Sequence, residues 1–205
     1  MLWYCRTFTP GSEAKAPVIG DGLINVLFVG RIAPNKRIED HIRLAEMYKR
    51  YIDSYYRFIF VGRYDAVPSY YAQIRALVEE FQMLPERFWF TGAVPDEDLA
   101  AFYRWADLYV SLSEHEGFCV PLVEAMAADV PVLAYAAGAV PETLGGAGVL
   151  FAPKDLEFAA EMAGTLVYDR SVRDGVIAGQ RRRLADFAPE RIERRLMEVV
   201  AQFGE

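Results

Sequence analysis

An α/β fold built on a doubly wound parallel sheet, with about six strands and flanking helices, is what this sequence predicts. Three observations predict it. From residue 24 onward, short β-branched and aromatic runs alternate with longer segments of helical period. The short runs are continuously apolar and do not alternate with polar residues, as befits strands covered by helices on both faces. A chain of 205 residues, 53% hydrophobic and 25% charged, is also long enough to bury one such core without disulfide staples.

The elements follow in order. Residues 1–22 contain Pro10, Pro17, Gly11, Gly20 and Gly22 without a period and read as a linker or incoming arm, with 23–205 as one domain. The predicted strands are INVLFVG (24–30), RFIFVG (57–62), RFWFTG (87–92), LYVSLS (108–113), VPVLAY (130–135) and GVLF (148–151). Between them, Ile38, Ile42, Ala45, Tyr48 and Ile52 form one helical stripe, and Leu99, Phe102, Tyr103 and Ala106 form another behind the acidic start PDED. At the C-terminal end, Ile192, Leu196, Val199, Val200 and Phe203 repeat the pattern behind Pro189. Such alternation closes through right-handed βαβ crossovers. LFVGR (27–31) recurs as IFVGR (59–63), read as two βα turns of one sheet.

Composition excludes several classes. Twenty-nine acidic against 22 basic residues give a net charge of −7, which argues against nucleic acid as a partner. Cys5 and Cys119 match neither a metal spacing nor a disulfide framework, and His41 and His115 are too few for a zinc cluster. His41 is expected on a helix surface and His115 in a loop. The N-terminal sequence lacks the basic start and apolar stretch of a signal peptide, so a cytoplasmic setting is expected, or the inner membrane face for a longer enzyme. No GxGxxG, GxxxxGK[ST] or GxSxG occurs, which speaks against a dinucleotide dehydrogenase, a P-loop ATPase and an α/β hydrolase.

Candidate chemistry lies at two strand ends. In SLSEHEGFCVPLVEAMAADVPV, Pro121 is expected as the first residue of a helix, so the backbone N–H groups of Gly117, Phe118, Cys119 and Val120 gather at its positive end. Glu116 and Glu124 flank that end as hydrogen-bond acceptors. In GRIAPNKR (30–37), Arg31 and Lys36 suit phosphate oxygens, the arginine as a fork and the lysine as a point charge. Carboxylates beside bare amides and cations suit a ligand that has both hydroxyls and phosphates.

GRIAPNKR, FVG (60–62), FTGAVPDEDLAAFYRWADLYVSLSEHEGFCVPLVEAMAADVPV (90–132) and GAVPETLGGAGVLF (138–151) together resemble the donor-binding half of retaining nucleotide-sugar glycosyltransferases of glycosyltransferase family 4. The resemblance implies a Rossmann-like domain, the C-terminal half of a GT-B architecture. It implies that Arg31 and Lys36 grip the donor diphosphate from the turn at Gly30, and that Glu116 holds hydroxyls of the transferred sugar. Glu124 would hold the ribose, Gly117 to Val120 would meet sugar and phosphate, and the turn carrying Gly92 and Val94 would border the base. Glu142 matches a further family glutamate. No metal or other cofactor is expected. A glycan or lipid acceptor would be bound by a second, N-terminal domain outside these residues, so the chain alone is expected to bind donor and not to transfer sugar. A non-catalytic nucleotide-sugar sensor, or a GT-B phosphorylase or epimerase relative, is the alternative. Two departures stand out: Cys119 where many relatives have glycine, and Ala128-Asp129 where a small residue and glycine are usual.

Overall fold

The computed structural model describes residues 21–83 and 87–202, so the predicted arm at 1–22 lies outside them except for Asp21 and Gly22, and Cys5 and Phe203 lie outside altogether. Six strands, β1 (Ile24–Val29), β2 (Tyr56–Val61), β3 (Phe88–Gly92), β4 (Leu108–Ser111), β5 (Val132–Tyr135) and β6 (Val149–Phe151), form one sheet. Every pairing is parallel and the order is β3-β2-β1-β4-β5-β6. All six predicted runs are strands, most of them trimmed by a residue or two at their ends.

The apolar runs serve two cores because successive side chains of a strand point to opposite faces. Val26 and Phe28 of β1 and Phe58 and Phe60 of β2 face one side, where α1 (Ile38–Tyr51), α2 (Pro68–Glu80) and α6 (Leu156–Tyr168) cover them. Leu27 and Ile59 face the other, beneath α3 (Asp96–Trp105), α4 (Val120–Ala127) and α5 (Val140–Leu144). The α1 stripe is buried at Ile38, Ile42, Ala45 and Tyr48, as predicted. Asp155 and Asp169 cap α6 and α7 (Arg170–Leu184), each accepting two backbone N–H bonds of the first turn. Gln180 of α7, fully buried, accepts from Val132 N and donates to Val130 O, which fastens that helix to the start of β5.

One reading of side-chain placement changes. His41 is fully buried and not on a helix surface: it stands three residues after Ile38 and four before Ala45, on the same face as the stripe. The C-terminal helix α8 (Pro189–Ala201) forms, but its stripe of Ile192, Leu196, Val199 and Val200 is 44–56% exposed, with none of the core beneath it. Among the described residues no helix is long and apolar enough to cross a membrane.

Candidate functional site

The strand order reverses direction at β1, whose neighbours are β2 and β4, so the loops leaving β1 and β4 diverge to opposite faces and open a crevice at the carboxyl edge. Both sequence-predicted clusters sit there. After β1 the chain passes Gly30 and Arg31 into a short 3-10 turn, Pro34–Lys36, and Arg37 adopts φ 51° before α1 begins. After β4 it runs through 112–119 into α4.

These two loops are bound to each other across 80 residues of sequence. Lys36 Nζ donates to Glu116 Oε1 at 2.6 Å, with 17% and 9% of the respective side chains exposed. Glu114 N donates to Asn35 O at 3.0 Å. From the other side, Ala139 N donates to Glu116 O at 3.1 Å and Thr143 Oγ1 to Phe118 O at 2.5 Å, so the start of α5 braces the loop. Gly138, at φ 55°, lies flat on Glu116: a Cβ there would come within 2.6 Å of Glu116 O. Asn35, Gly138 and Thr143 are contributors the sequence reading did not assign. Glu142, between Gly138 and Thr143 in sequence, is exposed, and its carbonyl accepts from Arg183.

α4 begins at Val120, so Pro121 is its second residue and not its first, a position whose N–H is equally without a helical acceptor. The backbone N–H groups of Gly117, Phe118, Cys119 and Val120 donate to no acceptor among the described residues. Cys119 adopts φ 60°, which explains the preference for glycine there as one of backbone conformation. Its thiol is buried, and burial with the Glu116 carboxylate pushes its pKa up to about 12, which leaves it a protonated packing group and no nucleophile. Asp129, at φ 57°, stands in the second family glycine position and is held by a bidentate pair with Arg181 at 2.7 and 2.8 Å.

Arg31 is exposed and pairs with no carboxylate among the described residues. Glu124, one turn into α4, is half-buried, and its Oε2 accepts from Tyr103 Oη at 2.9 Å. Gly92 and Val94 lie at the end of β3, two strands from β1; Gly62 joins the turns, donating to Gly92 O while Gly30 N donates to Val61 O. The repeated LFVGR and IFVGR are therefore neighbouring turns in direct contact. His115 is an exposed loop residue.

Below the crevice a second ionic cluster ties three loops together. Asp40 accepts from Arg37, Arg43 and Lys154, and Lys154 also donates to Leu112 O and Glu114. Burial opposes the charge on Asp40, but the bonds from Lys154 and Arg37 outweigh it and hold the carboxyl below the usual range. His41 packs beside this cluster, with its ring nitrogens 3.0 Å from Arg37 O and 3.4 Å from Val110 O. Burial lowers its pKa from 6.5 to about 4, opposed by the two carbonyls and Asp40 and aided by Lys154. The folded chain thus resists protonating His41, so its contribution is full above pH 6.5 and fades as pH falls toward 4. Urea unfolding should show a loss on the order of 3 kcal/mol across that window, and His41→Leu should flatten it. Asp40 contributes above its own ordinary range and gives way only at lower pH. Among the described residues no group of three or more His, Cys, Asp or Glu is placed to hold a metal ion.

The switch-point crevice of this parallel doubly wound domain thus joins an exposed arginine, a lysine–glutamate pair and a row of amides without acceptors, which offers donors to an anion and an acceptor to a hydroxyl. Residues 12–183 match the family described as Glycosyl transferases group 1, and the chain belongs to that family. It is 31% identical over 132 residues to the serotype-specific mannosyltransferase WbdA of Escherichia coli, covering 64% of this chain and 16% of that protein. The C-terminal domain of the glycosyl transferase group 1 protein LpcC of Francisella tularensis shares its fold, with a TM-score of 0.66 at 25% identity, covering 80% of this chain and 84% of that one. Alr3699/HepE of Anabaena, solved in complex with UDP-glucose, superposes with a TM-score of 0.73 at 23% identity, covering 88% of this chain and 49% of that one. The sheet is that of glycosyltransferases of GT-B architecture, and the chain spans about a sixth of the length of the first of these relatives.

Proposed function

We propose that this chain is the donor-binding domain of a retaining glycosyltransferase of family 4, and that it binds a nucleoside diphosphate sugar in the β1/β4 crevice. The observation that carries the reading is the Lys36–Glu116 pair, which sets a phosphate-seeking cation and a hydroxyl-seeking carboxylate side by side at the mouth of α4. Arg31, Lys36 and the amides of Gly117 to Val120 take the diphosphate, Glu116 the sugar hydroxyls and Glu124 the ribose, while Gly92 and Val94 border the base. When the donor bond breaks, negative charge grows on the departing diphosphate, and in this reading those cations and amides neutralise it. No metal is needed for that neutralisation, so donor binding should survive a chelator.

In this reading the acceptor, a glycan or lipid, belongs to a second domain N-terminal to this one, and the uncovered stripe of α8 is consistent with a longer protein. The chain alone then binds donor and transfers nothing; sugar transfer by it would overturn that division. Calorimetric titration with UDP, GDP, ADP and their sugars is expected to show binding to one of the series. Arg31→Ala should weaken it about tenfold while leaving the thermal midpoint unchanged, because Arg31 is exposed. Binding to none of the three would refute the proposal.

A further inference from the structure

We propose that Tyr103 is a positioning residue for Glu124, and that this buried phenol gives the site its preference for a ribose with both hydroxyls. The inference rests on the nucleotide reading above and adds to it a residue that never touches the ligand.

Glu124 projects from the first turns of α4 and is only half-buried, so by itself its carboxylate would turn among several rotamers and meet water with both oxygens. Tyr103 removes that freedom. It is fully buried on α3, its ring stacked on Tyr109 with centroids 6.2 Å apart, and its hydroxyl lies 2.9 Å from Glu124 Oε2. Pro121 O lies 3.3 Å from the same hydroxyl. A phenol has one proton, and it goes to the nearer, charged acceptor. Burial raises the Tyr103 pKa well above its ordinary value, so the donor keeps its proton at any working pH. With Oε2 tied back to the protein, Oε1 accepts from no described residue and remains for a ligand. A carboxylate fixed by one oxygen presents the lone pairs of the other in one direction, so ribose hydroxyls that donate to them meet an acceptor with little rotamer freedom left to lose. Contact across 21 residues, between helices α3 and α4, makes this a tertiary device and not a helix-pair effect.

The test compares UDP, GDP and ADP with their 2′,3′-dideoxy counterparts in wild type, Tyr103→Phe and Tyr109→Phe. Tyr103→Phe is expected to weaken the ribose form about tenfold, the value of one charge-assisted bond, and to leave the dideoxy form within roughly twofold. Tyr109→Phe, which trims a hydroxyl in the same stack, should keep the wild-type ratio. Equal losses for both ligands in Tyr103→Phe, or the same collapse in Tyr109→Phe, would reduce Tyr103 to a packing residue and overturn the proposal. If Tyr103→Phe does not fold, Glu124→Asp keeps the charge but draws it out of reach of the phenol; a retained ribose preference there overturns the proposal equally. Failure of the wild-type chain to bind any nucleotide refutes the underlying reading and this inference with it, whereas binding with an unchanged ratio refutes the inference alone.

Discussion

Replacing Gly62 with alanine is expected to destabilise the chain by about 3 kcal/mol or more and to abolish nucleotide binding with it. A Cβ at Gly62 would stand 2.0 Å from Gly30 O and 2.7 Å from Gly30 C, and both of those atoms are backbone. Side chains can rotate away from a clash; two parallel strands can only part. Their turns are joined by Gly30 N to Val61 O and Ile32 N to Arg63 O, each 2.9 Å, so parting them removes hydrogen bonds on both sides of the contact. Arg31 and Lys36 ride on the displaced turn. Urea denaturation should show a lower midpoint at an unchanged slope, the signature of lost stability and not of altered compactness. Gly117→Ala is the matched control: a Cβ there meets nothing within 4 Å, and the midpoint should hold. A Gly62→Ala chain as stable as wild type would show that the turns have room to slide.

The second large effect is a gain of unequal size for two ligands. In the unliganded chain Lys36 is engaged by Glu116 at 2.6 Å, so an arriving diphosphate must share that ammonium with a carboxylate and approach a like charge. Glu116→Gln removes the competing charge and keeps the shape. A bare nucleoside diphosphate should then bind roughly tenfold tighter, while the nucleotide sugar gains less because its hydroxyls lose a charged acceptor. Added salt should shrink the gain, since the site opens to solvent. The ligand-free variant should be less stable by about 2 kcal/mol, because a mostly covered lysine has lost its partner, and the nucleotide should restore much of that. Titration of both ligands with both proteins, alongside thermal unfolding, measures every part of this. Unchanged affinity for the diphosphate would mean that Lys36 does not meet the phosphates.

The fold was legible because burial on both faces writes itself into a strand as an unbroken apolar run, and Leu27 between Val26 and Phe28 shows why: neighbours serve different cores. The meeting of Lys36 and Glu116 was legible for the same sort of reason, since each follows a strand end and parallel topology brings strand ends together. What the sequence hid was contact at long range. Tyr103 was legible as a core residue, but its hydroxyl acquires meaning only from Glu124 on another helix. Asp40 and Lys154 meet across 114 residues, and neither position shows any local sign of the other. His41 was readable and misread: its spacing placed it with the buried stripe, while its polarity suggested the surface. Ile192, Leu196, Val199 and Val200 show the reverse, a correct period with nothing in these residues to bury it.

The helix that carries Glu124 is bounded at both ends by left-handed residues that are not glycine, Cys119 at φ 60° and Asp129 at φ 57°. Each holds a conformation that costs about 1 kcal/mol or more in the folded chain, and Asp129 is held there by Arg181. In exchange, the unfolded chain is less free at both points than one with glycines would be, and the folded helix has fewer ways to fray. The amides at its start are thus ordered when the chain folds, and a ligand arriving later meets donors that no longer have entropy to lose.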